Sequence, residues 1–229
     1  MIISVHQPQY LPWLGFFDKI DRSDCFVFLD NVQYKKREFQ NRNKIRTKDS
    51  WIWLTVPVIT KGLYTQKINE VEIDNDLDWS NDHLKSIKFN YSRAQFFKVY
   101  FEFFQKLYSK KWQRLADLNV FIIKEMLLSL GIRKDIYFES ELGIISEKSC
   151  RIIDICKRLN ADTYFSGEGG RDYLDEKQFE KNSIKLVYQD FAHPEYGQCY
   201  GSFVSNMSII DLLFNQGKNS LEILRGKLV

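Results

Sequence analysis

Two kinds of apolar pattern divide the chain. Residues 2–5 and 25–29 are short, nearly unbroken apolar runs, and each ends at a polar or proline-bearing turn, His6-Gln7-Pro8 and Asp30-Asn31. Runs of that length between turn signals fit strands buried on both faces of a parallel sheet. Between them, Pro12 and Trp13 open a helix to about Arg22, with Trp13, Phe16, Phe17 and Ile20 at helical spacing on one side. Residues 51–58 predict a third strand, 68–73 a half-exposed one, and 136–138, 163–165 and 184–188 three more.

Residues 80–130 read mostly as helix. Ser80 stands at an N-cap position, and residues 112–130 form a long segment with a wide apolar face that Gly131 stops. Ser146 is placed to cap a helix through Leu159, with Ile152, Ile153, Cys156 and Leu159 facing inward. Asp175 with Gln178, and Ser208 with Asp211, have capping-box spacing for two further helices, the second closed by Gly217. Strands alternating with helices predict an α/β fold: a Rossmann-like, mainly parallel sheet flanked by helices. The expected organisation is one domain over residues 1–229, with a mostly helical segment or lobe at about 79–130.

Composition is that of a globular chain, 44% hydrophobic and 28% charged, so a packed core rather than a disordered or fibrous chain is expected. No apolar stretch approaches the roughly 18 residues of a membrane span, and the N-terminus lacks the basic region of a signal peptide. The four cysteines, Cys25, Cys150, Cys156 and Cys199, form no CxxC pair and no zinc spacing. Reduced thiols in a cytoplasmic protein, with no metal site, are the expectation. There is no HExxH helix and no nucleophile elbow, which removes zincin and serine-hydrolase chemistry.

The net charge of +3 argues against general nucleic-acid binding. Its distribution is more telling. Between Lys35 and Lys48 seven basic residues face one acid, Glu38. Such a stretch attracts an anion, phosphate above all, unless it is simply a solvated loop.

Ligands of open α/β sheets bind beyond the carboxyl ends of the strands, and three segments fall there. In the first, His6 is either a proton-transfer group or a histidine that fixes its turn; Gln7, Tyr10 and Trp13 accompany it as candidate binding residues. In the second, Asp30 is either a catalytic or ribose-binding carboxylate or a turn aspartate. Lys36, Arg37 and Arg42 can pair with phosphate, and Gln33, Gln40 and Asn43 with sugar hydroxyls. The third is Ser166-Gly167-Glu168-Gly169-Gly170-Arg171, which has the character of a phosphate-cradling turn without matching the P-loop or GxGxxG spacing; Ser166, Gly167 and Arg171 are its candidates. An ordinary strand-to-helix turn is the other reading.

The strings HQPQYLPWLGFFDKI, VFLDNVQYKKREFQNRNKIR, LTVPV, YFSGEGGRDYLD, HPEYGQCYGSF and SIIDLLFNQG resemble, in this order and over nearly the whole chain, the WbqC-like family of bacterial proteins. The resemblance implies a role in O-antigen, lipopolysaccharide or other surface-polysaccharide biosynthesis. The implied reaction is transfer of glycine or another acyl group to a nucleotide-linked amino sugar. ATP and Mg²⁺ are implied only if the donor is activated by this protein. A non-catalytic nucleotide- or nucleotide-sugar-binding protein of the same pathway is the alternative. The first strand, loop and helix also resemble, more distantly, the HxGH nucleotidyltransferases. Gly15 occupies the place of that signature's glycine, whereas Trp13 and Phe16 stand where its histidines would be.

Overall fold

A computed structural model describes residues 1–227. Strand β1 (Ile2–His6) leads into helix α1 (Leu14–Asp21) and strand β2 (Cys25–Phe28). A hairpin of β3 (Arg42–Arg46) and β4 (Trp51–Thr55) follows. Three helices come next, α2 (Trp79–Tyr91), α3 (Phe97–Ser109) and α4 (Leu115–Leu130). The chain then alternates again: β5 (Asp135–Phe138), α5 (Lys148–Arg158), β6 (Thr163–Ser166), α6 (Glu176–Lys181) and β7 (Lys185–Tyr188). Helices α7 (Ile209–Gln216) and α8 (Ser220–Leu224) end the described chain.

Five strands form one parallel sheet in the order β5-β2-β1-β6-β7, the α/β, Rossmann-like arrangement expected from the alternation. Beyond β1 the chain builds outward through β2 to β5, then returns to β6 on the other side of β1. The reversal of strand order therefore lies between β1 and β6, which is where such sheets open a crevice for ligands.

Strand periodicity assigns the side chains to two cores. Phe26 and Phe28 face a large aromatic core that includes Phe16 and Phe17 of α1, Ile122 and Met126 of α4, and Phe214 of α7. Ile3, Val5, Cys25 and Val27 face the opposite core, closed by Ile152, Ile153 and Cys156 of α5 and by Phe179 of α6. The helical middle thus shares its core with one face of the sheet. Its last helix stops at Gly131, whose φ of 75° lies in the left-handed region that glycine adopts without strain.

Three local expectations need correction. The basic stretch does not remain a loop, because Arg42–Arg46 is a strand paired antiparallel with Trp51–Thr55. Alternation explains this: Asn43 and Ile45 turn into the protein while Arg42 and Lys44 lie over Trp53 and Trp51 on the outside. Residues 68–73 form no strand. Ile68–Glu70 is a 3₁₀ turn, closed by the Glu70 carboxylate accepting from the Lys67 N–H at 2.8 Å, and Ile68, Val71 and Ile73 anchor it in the core. Ser80 and Ser146 are not caps; the helices they adjoin are preceded by Asp78 and Glu147.

The loop from His6 to Trp13 is tied down from three directions. Asn119 of α4 has no exposed surface and donates to the Pro8 carbonyl at 3.2 Å and the Gln40 carbonyl at 2.7 Å. Asn43 of β3 donates to the Leu11 carbonyl at 2.8 Å, and the Pro12 carbonyl accepts from the Ile209 N–H at 2.8 Å. Asn119→Ala strands two buried carbonyls and is expected to cost about 1–3 kcal/mol. Denaturant unfolding measures this directly; an unchanged midpoint would show that the loop does not depend on that clamp.

Candidate active site at the carboxyl end of the central strand

His6 is the last residue of β1, at the reversal point of the sheet. Its Nδ1 lies 3.0 Å from the Gln7 carbonyl oxygen, so Nδ1 carries the proton and donates, and Nε2 is left with its lone pair. The ring packs edge-on against Phe16, at 5.1 Å between centroids. His6 borders two clefts. The larger, about 700 Å³, opens on one side, between β1 and the start of α5. The smaller, about 300 Å³, opens on the other, between α1 and the Gly167–Gly169 turn.

The larger cleft is basic. Lys35, Lys67, Lys148 and Arg151 line it against a single acid, Glu147, together with Gln7, Gln33, Tyr164 and Tyr173. Lys67 is held by the Asn31 side chain at 2.7 Å. Arg151 donates to the Ser146 carbonyl at 2.8 Å and stands 3.9 Å from the buried Glu139 carboxylate, so its guanidinium is fixed in direction. Lys148, the first residue of α5, has a φ of 52°. A lysine in the left-handed region is uncommon.

The smaller cleft contains Lys19. This residue is 2% exposed, and its ammonium donates to the Val5 carbonyl at 3.2 Å. Desolvation lowers its pKa to about 7. Burial also lowers the His6 pKa to about 3, with the Lys19 charge pressing in the same direction and the Gln7 carbonyl opposing it. The imidazole is therefore neutral across the physiological range, rather than titrating near 6.5 as its sequence position alone suggested.

The three sequence-derived segments do meet at the same edge of the sheet, after β1, β2 and β6, but their side chains diverge. His6, Gln7 and Gln33 line the larger cleft; Trp13 and Gly167 line the smaller. Gln40 lies behind Gln7, donating to its side chain at 2.6 Å. Tyr10 has no exposed surface, and its hydroxyl is engaged by His83 at 2.8 Å and by Tyr108. Asn43 is buried as a backbone clamp. Asp30 faces a different hollow and accepts from the Ser140 N–H at 3.0 Å and the Ser140 hydroxyl at 2.6 Å.

The cations of the basic stretch also point elsewhere. Lys36 lies toward Tyr64, Arg42 stacks on Trp53 at 4.4 Å and donates to the Arg37 carbonyl, and Arg37 is exposed on a backbone with φ of 66°. Ser166 is buried, with its hydroxyl 3.0 Å from the Gly167 carbonyl, and Arg171 lies over Tyr188 at 4.2 Å. Of the segment from 35 to 48, Lys35 alone borders the larger cleft.

Sequence reasoning passed over Lys19, Lys67, Lys148 and Arg151. A signal for Lys19 was present: it stands three residues after Phe16, on the apolar side of α1, where a lysine has no ready access to water. For the other three no local signal exists, because the crevice is assembled from three distant segments.

These protonation states give a testable consequence. Because the folded-state pKa of His6 lies below the unfolded value, the unfolded chain takes up a proton first. Stability contributed by neutral His6 is present above pH about 6.5 and lost as pH falls toward about 3. Nitrogen-detected NMR of the His6 ring is expected to report a neutral Nδ1–H tautomer from pH 5 to 8. In Lys19→Met the His6 pKa rises, since a neighbouring charge has been removed. A midpoint near 6.5 in the parent protein contradicts the assignment.

Comparison with known proteins agrees with the long strings noted above. The family model of the WbqC-like protein family matches residues 7–223. The uncharacterized protein Rv1507c of Mycobacterium tuberculosis is 35% identical over 225 residues, covering 97% of each chain. No solved structure matches. No helix among the described residues is long and apolar enough to cross a membrane. With a family model spanning all but the ends of the chain, the protein belongs to the WbqC-like protein family.

Proposed function

We propose that this protein transfers an acyl or aminoacyl group, glycyl among them, to the nitrogen of a nucleotide-linked amino sugar during assembly of a bacterial surface polysaccharide. The observation that carries the reading is that one histidine forms the wall between two clefts of unequal size and character. A transfer reaction brings two substrates to a shared point, and His6 stands at that point. The larger cleft has the volume of a small-molecule site, and its lysines and Arg151 suit the diphosphate of a nucleotide-sugar. The smaller cleft suits the compact acyl donor.

The charge state of His6 fits a defined step. A neutral imidazole with a free Nε2 is a weak base while Lys19 is charged beside it. After the sugar amine has attacked the acyl carbon, its nitrogen is an ammonium on a tetrahedral centre and far more acidic than a free ammonium. His6 takes that proton, and collapse of the tetrahedral centre expels the leaving group. A donor anion that pairs with Lys19 raises the basicity of His6 as the substrates assemble, so proton transfer waits for the complete complex.

A second reading, a non-catalytic nucleotide-sugar-binding protein, is favoured by one observation. Trp13 and Phe16 replace the histidines of the HxGH arrangement, and both are packed, Trp13 against Phe191 at 5.5 Å and Phe16 in the core. The two readings share the larger cleft and differ over His6.

Under the transfer reading, His6→Asn lowers turnover by ~10²–10⁴-fold, the span of general acid–base groups, with the melting temperature nearly unchanged at neutral pH. Full turnover in a stable His6→Asn protein removes His6 from the mechanism. Lys35→Ala and Lys67→Ala each weaken nucleotide-sugar binding by ~10-fold or more, the loss of a charge-assisted contact of ~1.5–3 kcal/mol. Lys36→Ala and Arg37→Ala leave it near the parent value. Titration of the four variants checks this, and the opposite ranking returns the phosphate site to the exposed basic loop.

A further inference from the structure

We infer that the smaller cleft is an oxyanion-binding site, with Lys19 as its cationic partner and the bare backbone of Gly167 and Gly169 as its opposite wall. The inference does not depend on acyl transfer and holds equally for a protein that only binds.

Lys19 is an amine brought into the protein without a countercharge. Its ammonium has three protons and, among the described residues, one acceptor, the Val5 carbonyl at 3.2 Å. Desolvation is the cause of its lowered pKa, and no carboxylate among the described residues pairs with it. A buried cation left in this condition is costly, and the ordinary solution is a paired anion. The amine lines a cleft of about 300 Å³ rather than a packed interior, so space for that anion exists beside it.

The geometry of the opposite wall agrees. A Cβ added at Gly167 would stand 3.7 Å from the Lys19 amine, and one at Gly169 would meet no atom within 4 Å. At Gly169 a side chain would project into open space, and at Gly167 it would stand in contact with the amine. Gly170, by contrast, is required for packing, since its Cβ would collide with the Ser166 hydroxyl.

The charged and titratable groups around the cleft set its selectivity. His6 on β1 is neutral and offers an acceptor. Glu168 in the turn also lines the cleft, and its carboxylate is exposed to solvent. Asp18, next to Lys19 on α1, is occupied by Gln189 at 2.7 Å and by Arg22 at 3.5 Å. Among the described residues Lys19 is the one cation and Glu168 the one acid lining the cleft; the buried amine, not the solvated carboxylate, sets its preference, which is expected to be for small oxyanions, a phosphate-type group or a carboxylate.

Sulfate and acetate keep fixed charges from pH 6 to 9, so any pH dependence of their binding belongs to the protein. Both are titrated calorimetrically into the parent protein, Lys19→Met and Gly167→Val at constant ionic strength. The parent is expected to bind at least one of them, with affinity falling about tenfold per pH unit above 7 as the amine loses its proton. Lys19→Met and Gly167→Val each lose at least tenfold in affinity, the first by removing the charge and the second by filling the space. Lys19→Met also loses the pH dependence. Response to sulfate identifies a phosphate-type ligand, and response to acetate a carboxylate. Circular dichroism reports whether each variant is folded; Gly167→Val carries the test if Lys19→Met is not. Unchanged affinity for both anions in the folded variants overturns the proposal, as does a parent that binds neither. Because no turnover is measured, failure here leaves the His6 experiment untouched, and failure there leaves this one untouched.

Discussion

The placement of β1 between β2 and β6 is the constraint on which the site depends. A central strand of a parallel sheet is covered on both faces and paired on both edges, so its direction and its end point have almost no freedom. The chain must leave β1 at His6, and the crossovers on either side of it lead away in opposite directions. A crevice at that end is a consequence of topology rather than of any one side chain. The structure divides this crevice in two by standing an imidazole in it, fixed by the Gln7 carbonyl on one side and Phe16 on the other.

The polar residues around the His6–Trp13 loop serve that geometry. Tyr10, Gln40, Asn43 and Asn119 are all buried, and each is engaged by a carbonyl, an N–H or another side chain of the loop's surroundings. A loop buried this deeply has to satisfy its own backbone groups, and the amide side chains do so. The same packing makes His6 and Lys19 what they are. Both are basic groups held away from water, and burial lowers the proton affinity of each, with the Lys19 charge adding to the effect at His6.

Much of the fold was legible in the sequence because the signals are local. Unbroken apolar runs marked β1 and β2, the spacing of Trp13, Phe16, Phe17 and Ile20 marked α1, and Gly131 marked the end of α4. The hairpin was misread because a strand with Arg42, Lys44 and Arg46 looks like a solvated loop until Trp53 and Trp51 are placed beneath the first two cations and the third is buried against the Ser50 and Ser202 carbonyls. The site was legible only in part. Position after a strand singled out His6 and Gly167, which line the clefts, and Asp30, whose carboxylate accepts from Ser140 in a different hollow. Lys67, Lys148 and Arg151 converge through tertiary structure, and no window of sequence contains that convergence. Charge density drew attention to Lys36, Arg37 and Arg42, which lie outside the larger cleft, whereas that cleft is lined by Lys35, Lys67 and, from α5, Lys148 and Arg151.

Under the proposed function, two clefts meet at His6 and the larger receives the phosphorylated substrate. A crystal structure of the protein soaked with a nucleoside-diphosphate amino sugar tests it most directly. The account predicts the diphosphate between Lys67, Lys148 and Arg151, with the sugar amine directed at Nε2 of His6. A diphosphate bound instead on the exposed face formed by Lys36, Arg37 and Arg42, with the crevice empty, contradicts it.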